Sequence, residues 1–429
     1  MIINNVQEKH NPGRPSPGHG AGSRASILLG TQTLFNVGFY AVVPFIAVVL
    51  TGDFGLGATA VGLVLGVRTF SQQGLFVVGG ALADRFGPRG IILLGCAVRS
   101  VGFLALSAAL WPTRPVVWLF VAGTALTGFG GALFSPGLNV LLGTLQGARD
   151  EAGHRGASLF AWLAVTGEVG AVVGPLLGAR LLGWGFATVA GAGAGFFVAV
   201  GVGLAVLLPR VDVPRAAEGR HTLVWHALRD RRFTAFAALH AADLLSYNQL
   251  YLALPLAIAS AGGGAGVVAL MFAWASVLTL GLQLPVARWT ARLGAPRALR
   301  LGYLAHVSAF LLLAVGAVAS GPGAASLALL AIAVTCIMLG HLVVNPTGLG
   351  LVPGFARGRA TGVYFGLLAT GGGIAVLLGN LVAGALFEAG RAAEAPPVAP
   401  LLPWVFLATL PLAAAVLVPR VLRASGVDR

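Results

Sequence analysis

The sequence predicts an all-α integral membrane protein, with twelve transmembrane helices arranged as two pseudo-symmetric six-helix bundles. Composition is the first reason: 57% of the 429 residues are hydrophobic and only 9% are charged. Distribution is the second. The apolar residues gather into runs long enough to cross a bilayer core of ~30 Å, which takes about 20 residues of helix. Internal likeness is the third. YAVVP (40–44), RFGPR (85–89) and GGALFSP (130–136) return in the same order as YLALP (251–255), RLGAPR (292–297) and GHLVVNP (340–346). Their near-constant offset is what a duplicated six-helix unit produces.

Taken in order, residues 1–26 are polar and rich in Pro and Gly, and read as a disordered N-terminus. They lack the n-region and cleavage site of a secretory signal, so the first helix is expected to be retained. Span one, 27–50, carries Asn36 and Tyr40; span two, 58–82, carries Arg68 beside Ser71, Gln72 and Gln73. Span three (90–111) holds Arg99, and span four (115–143) holds no charge. Span five (157–183) has Glu168 just before a row of glycines, and span six covers 186–208. The longest internal polar stretch, 209–233, separates the halves; its HTLVWHALRDRR part reads as a short amphipathic surface helix. Span seven (234–258) contains His240, Asp243, Asn248 and Tyr251. Spans eight to twelve follow at 265–288, 298–320, 324–350, 361–387 and 400–420, before a tail of 421–429. The domains are then a disordered N-terminus (1–26), an N-terminal bundle (27–208), a central loop (209–233), a C-terminal bundle (234–420) and the tail (421–429).

The net charge of +14 does not point to nucleic acid, because the basic residues lie in short gaps between apolar runs and form no patch. They act as topology signals. With the N-terminus inside, the outer segments hold only Arg114, Arg180 and Arg391, and the membrane holds Arg68 and Arg99; every other basic residue falls inside. Both termini are therefore expected in the cytoplasm. Cys96 and Cys336 lie within apolar runs and suggest neither a disulfide nor a metal site.

GGALADRFGPRG (79–90) joins spans two and three. Gly87-Pro88 makes the turn, and Asp84 ends the helix at headgroup level, where a carboxylate can latch a neighbouring helix or act as a plain turn residue. The stretch resembles the G-x-L-A-D-R-x-G-R-K signature of the major facilitator superfamily: Gly80, Leu82, Ala83, Asp84, Arg85, Gly87 and Arg89 match, and Pro88 departs. The second-half copy has Ala291 where the acid would recur. GAVVGPLLGA (170–179) resembles the antiporter signature G-x-x-x-G-P-x-x-G-G through Gly170, Gly174, Pro175 and Gly178. Physically, glycines at this spacing make a smooth stripe against which another helix packs. GVRTFSQQG (66–74), GGALADRFG and DRRF (230–233) carry a resemblance to the MdtH-like multidrug exporters of the drug–proton antiporter branch. The resemblance implies multidrug efflux and antibiotic resistance, with a gating role for Gly80, Asp84, Arg85, Gly87 and Arg89. Span four, TALTGFGG (124–131), lacks the Arg that several such exporters carry in a proton-coupling motif.

Charges at membrane depth are costly and usually functional. Here they are Arg68, Arg99, Glu168 and Asp243. Asp243, with His240 one turn before it, is the leading proton-coupling candidate; Glu168 and His341 follow, the latter because histidine titrates near neutrality. Arg68 is expected to hold Asp243 or Glu168. Arg99 reads as structural and His306 as packing. Asn36, Tyr40, Arg68, Gln72, Asn248 and Tyr251 are candidates for a cavity that takes flat, amphipathic or cationic molecules.

These features lead to one expectation: a proton-coupled exporter of small amphipathic or cationic organic molecules, working by alternating access. Its partners would be the lipid bilayer, protons and a small organic substrate, with no nucleic acid, no metal and no cofactor beyond the proton gradient. It would be a monomer in a bacterial inner membrane. Export of an endogenous metabolite, sugar or lipid-like molecule is the alternative, and uptake symport a weaker one. No clustered nucleophile or metal site suggests an enzyme.

Overall fold

The computed structural model describes residues 17–111, 115–151, 159–208, 227–319, 323–356, 361–392 and 396–426. Among the described residues all regular structure is helical. Eleven helices among the described residues are long and apolar enough to cross a membrane. Span seven falls outside that set: its longer piece, Arg231–Asn248, carries Arg231, Arg232, His240, Asp243 and Asn248, and the rest, Ala253–Ser260, is short.

Span one is divided at the equivalent place. Pro17–Tyr40 is followed by a tight turn, Val43–Phe45, and a short helix, Ile46–Gly52. Proline explains both divisions. Pro44 and Pro255 donate no backbone hydrogen bond and crowd the carbonyl four residues back, on Tyr40 and Tyr251. The YAVVP and YLALP copies thus mark one structural event in each half.

Span two is also irregular. Ala58–Thr69 and Phe76–Phe86 are joined by one π-helical turn, Phe70–Gly74. The other spans run Pro88–Ala109, Val117–Glu151, Leu159–Leu181, Phe186–Leu207, Ala265–Leu293, Ala295–Ala319, Ala324–Ala356, Thr361–Ala389 and Leu402–Ser425. Several outrun the apolar stretches, because helices continue past the hydrocarbon core while hydropathy marks only the part inside it. Span one accordingly reaches back to Pro17, into the segment expected to be disordered, and span twelve runs on into the expected tail. Span seven starts at Arg231 because Asp230 caps it, its Oδ1 accepting from the N–H groups of Arg232 and Phe233 at 3.1 Å. The central segment therefore ends at 230. Most of the expected amphipathic surface helix lies outside the described residues.

Small residues set the helix pairing. Spans three and four interlock: a methyl group at Gly102 would stand 2.8 Å from the Thr127 nitrogen, and one at Gly123 2.8 Å from the Gly102 oxygen. Large apolar side chains face outward around the perimeter, among them Leu104, Val202, Leu284, Val315 and Leu378. A lipid-facing surface requires this.

The halves meet along spans two and eleven and along spans five and eight. At the face away from the chain termini, Ile46–Gly52 touches Ala253–Ser260. There the Glu388 carboxylate of span eleven accepts from Thr59 Oγ1 at 2.5 Å and Thr59 N–H at 3.3 Å. Thr59 belongs to the first turn of span two, so an acid of one half caps a helix of the other. Just inside, methyl groups at Gly62 and Gly384 would strike the carbonyls of Asn380 and Ala58.

Candidate functional site

Three titratable side chains from three helices of the C-terminal half converge. Asp243 of span seven is 1% exposed. Its Oδ1 lies 3.0 Å from His306 Nε2 of span nine, and its Oδ2 lies 3.0 Å from His341 Nδ1 of span ten. A carboxylate accepts from both, so His306 carries its proton on Nε2. That leaves His306 Nδ1, which has no partner, as the nitrogen with the lone pair. The His306 side chain is fully buried, whereas that of His341 is 21% exposed and stacks on Tyr247 at 4.4 Å. His341 is the accessible end of the cluster and His306 the closed end. His240 lies beside this group but bonds to the Tyr303 hydroxyl through Nδ1 at 3.1 Å and stacks on Phe236.

The N-terminal half buries the opposite charge. Arg68 donates to Gln72 Oε1 at 2.8 Å and lies 4.7 Å from the Phe39 ring centroid and 5.5 Å from that of Tyr251. Arg99 donates from Nε to the Thr127 carbonyl at 3.2 Å and lies 4.0 Å from the Phe35 ring. Gly130 and Gly131 of span four make room for it: a methyl at Gly131 would stand 2.5 Å from Arg99 Nη2. Span four, whose apolar stretch 115–143 has no Arg, thus receives a guanidinium from span three.

A polar band joins the halves between these two groups. Tyr40, Tyr247 and Tyr251 cluster here, with the Tyr247 and Tyr251 rings 6.4 Å apart. Asn248 donates to Thr69 Oγ1 at 3.0 Å and accepts from Asn380 at 2.9 Å, and Gln249 donates to Asn380 at 2.9 Å. Glu168 lies beside Ser276 of span eight.

Several sequence expectations change. Arg68 holds neither Asp243 nor Glu168; aromatic faces and amides take the place of a carboxylate. His306 is no mere packing residue. Its distance along the chain from Asp243 hid the contact, although His306, His341 and Asp243 all sit near mid-span, and that shared depth was the available signal. Asn248 is buried and saturated across the half–half boundary, so in this conformation it lines no cavity. Asn36 donates to the Gly167 carbonyl at 2.9 Å and helps to fasten span one to span five. The glycine stripe does the same: methyl groups at Gly170 and Gly174 would meet Asn36 Cβ at 2.6 Å and Tyr40 Cβ at 2.7 Å, and one at Gly178 would strike the Ala41 carbonyl. Pro175 lies within this helix. At the 79–90 turn, Gly87 has φ +85° and Arg89 donates to the Ala205 carbonyl at 2.5 Å. Gly80 stands in open space. The side chains of Asp84, Arg85 and Ala291 lie outside the described residues, and with them the expected latch.

Two like helical bundles, meeting at a polar band with titratable groups at membrane depth, define a membrane transporter. The Major Facilitator Superfamily model matches residues 28–364, and the chain belongs to that superfamily. An uncharacterized MFS-type transporter of Mycobacterium tuberculosis is 36% identical over 373 residues, covering 85% of this chain and 86% of its own. The multidrug resistance protein MdtH of Edwardsiella ictaluri is 31% identical over 383 residues, 89% of each chain. MdtH of Cronobacter sakazakii is 32% identical over 384 residues, covering 89% of this chain and 90% of its own. Among solved structures, the nucleoside transporter NupG superposes with a TM-score of 0.74 at 14% identity, over 91% of this chain and 98% of that one. A POT family transporter bound to a thioalcohol-conjugated peptide gives 0.75 at 13% identity, over 92% and 96%. These structural likenesses establish the fold.

Proposed function

We propose that the chain is a proton-coupled exporter of small amphipathic or cationic organic molecules, exchanging them for protons by alternating access. The observation that carries this is Asp243 held between His306 and His341. With both imidazoles neutral, the cluster holds one negative charge in a low-dielectric interior. One proton, bound at the accessible His341, brings it to zero net charge. A site that binds a single proton at depth and meets the cavity through one exposed edge is what coupling needs. Glu168 stands across the boundary as a second acid and as a group able to meet a cationic substrate. The MdtH relatives, named for multidrug resistance, favour efflux.

In this reading the termini face the cytoplasm of a bacterial inner membrane. The contact between Glu388 and Thr59 then closes the outer side. The protein acts as a monomer, and the proton gradient is its energy source. Asp84 latches the inner side when the halves rock the other way.

The test is efflux of a cationic dye from proteoliposomes under an imposed pH gradient, with wild type and Asp243→Asn. Gradient-driven transport in wild type that disappears in the variant supports both coupling and its site. A correctly inserted wild type that moves no dye sinks the drug-efflux reading. A variant as active as wild type removes Asp243 from the coupling role.

A further inference from the structure

Two buried guanidiniums share one aromatic ring. Arg68 Cζ lies 4.7 Å and Arg99 Cζ 4.9 Å from the Phe39 centroid. Arg68 is 4% exposed and Arg99 1%. Among the described residues neither has a carboxylate partner, and Arg68 Nε and Arg99 Nη1 donate to nothing. Ring faces and neutral carbonyls soften a buried cation but do not neutralise it. Of the two acids at membrane depth among the described residues, Asp243 is held by its histidines and Glu168 lies beside Ser276 of span eight. Among the described residues no carboxylate supplies the counter-charge, which leaves the pair open to an anion from outside.

We propose that Arg68 and Arg99, with Gln72 beside them, form an anion-binding site for the negatively charged group of an amphipathic organic substrate, a carboxylate or a sulfonate. Phe39 and Tyr251 receive its apolar body. The arrangement suits such a ligand. Gln72 accepts from Arg68, and a methyl at Gly131 would lie 3.3 Å from Gln72 Cδ and 2.5 Å from Arg99 Nη2, so the three polar groups are contiguous. Tyr251 and Asn248, which cover Arg68 and its neighbour Thr69, belong to the other half. Parting the halves uncovers Arg68, with Arg99 behind it. A planar carboxylate or a sulfonate matches the guanidinium fork. The inference rests on the chain being a transporter and not on proton coupling.

The test uses the full chain in nanodiscs of neutral lipid, with no gradient. Radiolabelled 2-naphthoate is competed with 2-naphthamide, the same rings without the charge. The expected result is naphthoate binding at least tenfold tighter than naphthamide. Arg68→Gln and Arg99→Gln should each abolish that preference while leaving naphthamide binding in place, and Arg68→Lys should keep part of it. Equal binding of the two probes by wild type, or a charge preference that survives in both glutamine variants, overturns the proposal. Inorganic phosphate that displaces naphthoate at equal concentration also overturns it, because the ligand would then be a free anion and not an amphiphile. If Arg99→Gln does not insert, wild type and Arg68→Gln still decide. A failure here leaves the coupling test with Asp243→Asn unaffected, and a failure there leaves this binding difference readable.

Discussion

In the N-terminal half the buried charges are Arg68 and Arg99, set against phenylalanine and tyrosine rings, an amide and a carbonyl. In the C-terminal half the buried charge is Asp243, set between two imidazoles. The two environments differ in what they can exchange. Guanidinium stays protonated and aromatic rings carry no proton to give, so the N-terminal site holds a fixed charge. Carboxylate and imidazole both titrate, so the C-terminal site can change its charge by one. Duplication supplied two similar scaffolds, and the most deeply buried charges divide the work between them: a constant positive field from Arg68 and Arg99 on one side of the boundary and a variable charge at Asp243 on the other.

The largest effect should come from removing the variable charge. Asp243→Asn is expected to reduce gradient-driven transport in proteoliposomes to the level of empty vesicles, while exchange of substrate without a gradient continues. Loss of both modes would mean that the two halves do not divide the work in this way. The two histidines sharpen the comparison further. His341→Gln should flatten the dependence of transport on pH, because it removes the accessible imidazole that takes the proton. His306→Gln should instead lower stability by about 1–3 kcal/mol, as expected when a buried polar group loses its partner, read by thermal unfolding in detergent. If the two variants behave alike, the distinction between an accessible end and a closed end falls.

A smaller effect concerns how each half is held. Gly178→Val drives a branched side chain into the Ala41 carbonyl and Phe45. It should cost about 1–3 kcal/mol by overpacking, whereas Gly203→Ala, with open space around it, should leave the melting temperature unchanged or slightly higher. The smallest effect is expected at the far face. Glu388→Gln keeps the shape of the Thr59 contact but removes its charge, and should raise the labelling rate of a cysteine placed nearby at Ala385 by a few-fold. An unchanged rate would mean that packing at Gly62 and Gly384 closes that face without help from the carboxylate.

The spans, the duplication and the glycine stripe were readable in the sequence because each is a periodic or repeated feature of the chain itself. The matched breaks at Pro44 and Pro255 were present in the YAVVP and YLALP pair, once proline's missing donor is considered. The pairing of the buried charges was not readable. Opposite charges at depth suggested ion pairs, with Arg68 holding Asp243 or Glu168, yet Arg68 found rings and Gln72, and Asp243 found histidines. Which helices are neighbours decides such partners, and that depends on close approaches at glycines such as Gly102 and Gly130, not on local spacing. His306 illustrates the loss: alone on an apolar face it looks inert, and only the meeting of spans seven, nine and ten gives it a carboxylate.

The prolines have a mechanical consequence. Beyond Tyr40 and Tyr251 the two central helices continue only as Ile46–Gly52 and Ala253–Ser260, rods of roughly 10–12 Å at 1.5 Å per residue. Each is joined to the main shaft by a few residues without a continuous hydrogen-bond ladder, and the two touch each other. They form a pair of short levers on separate fulcrums. The far entrance can therefore yield by swinging two tips while the tyrosine cluster beneath them stays in place, so access and the central polar contacts need not change at the same instant.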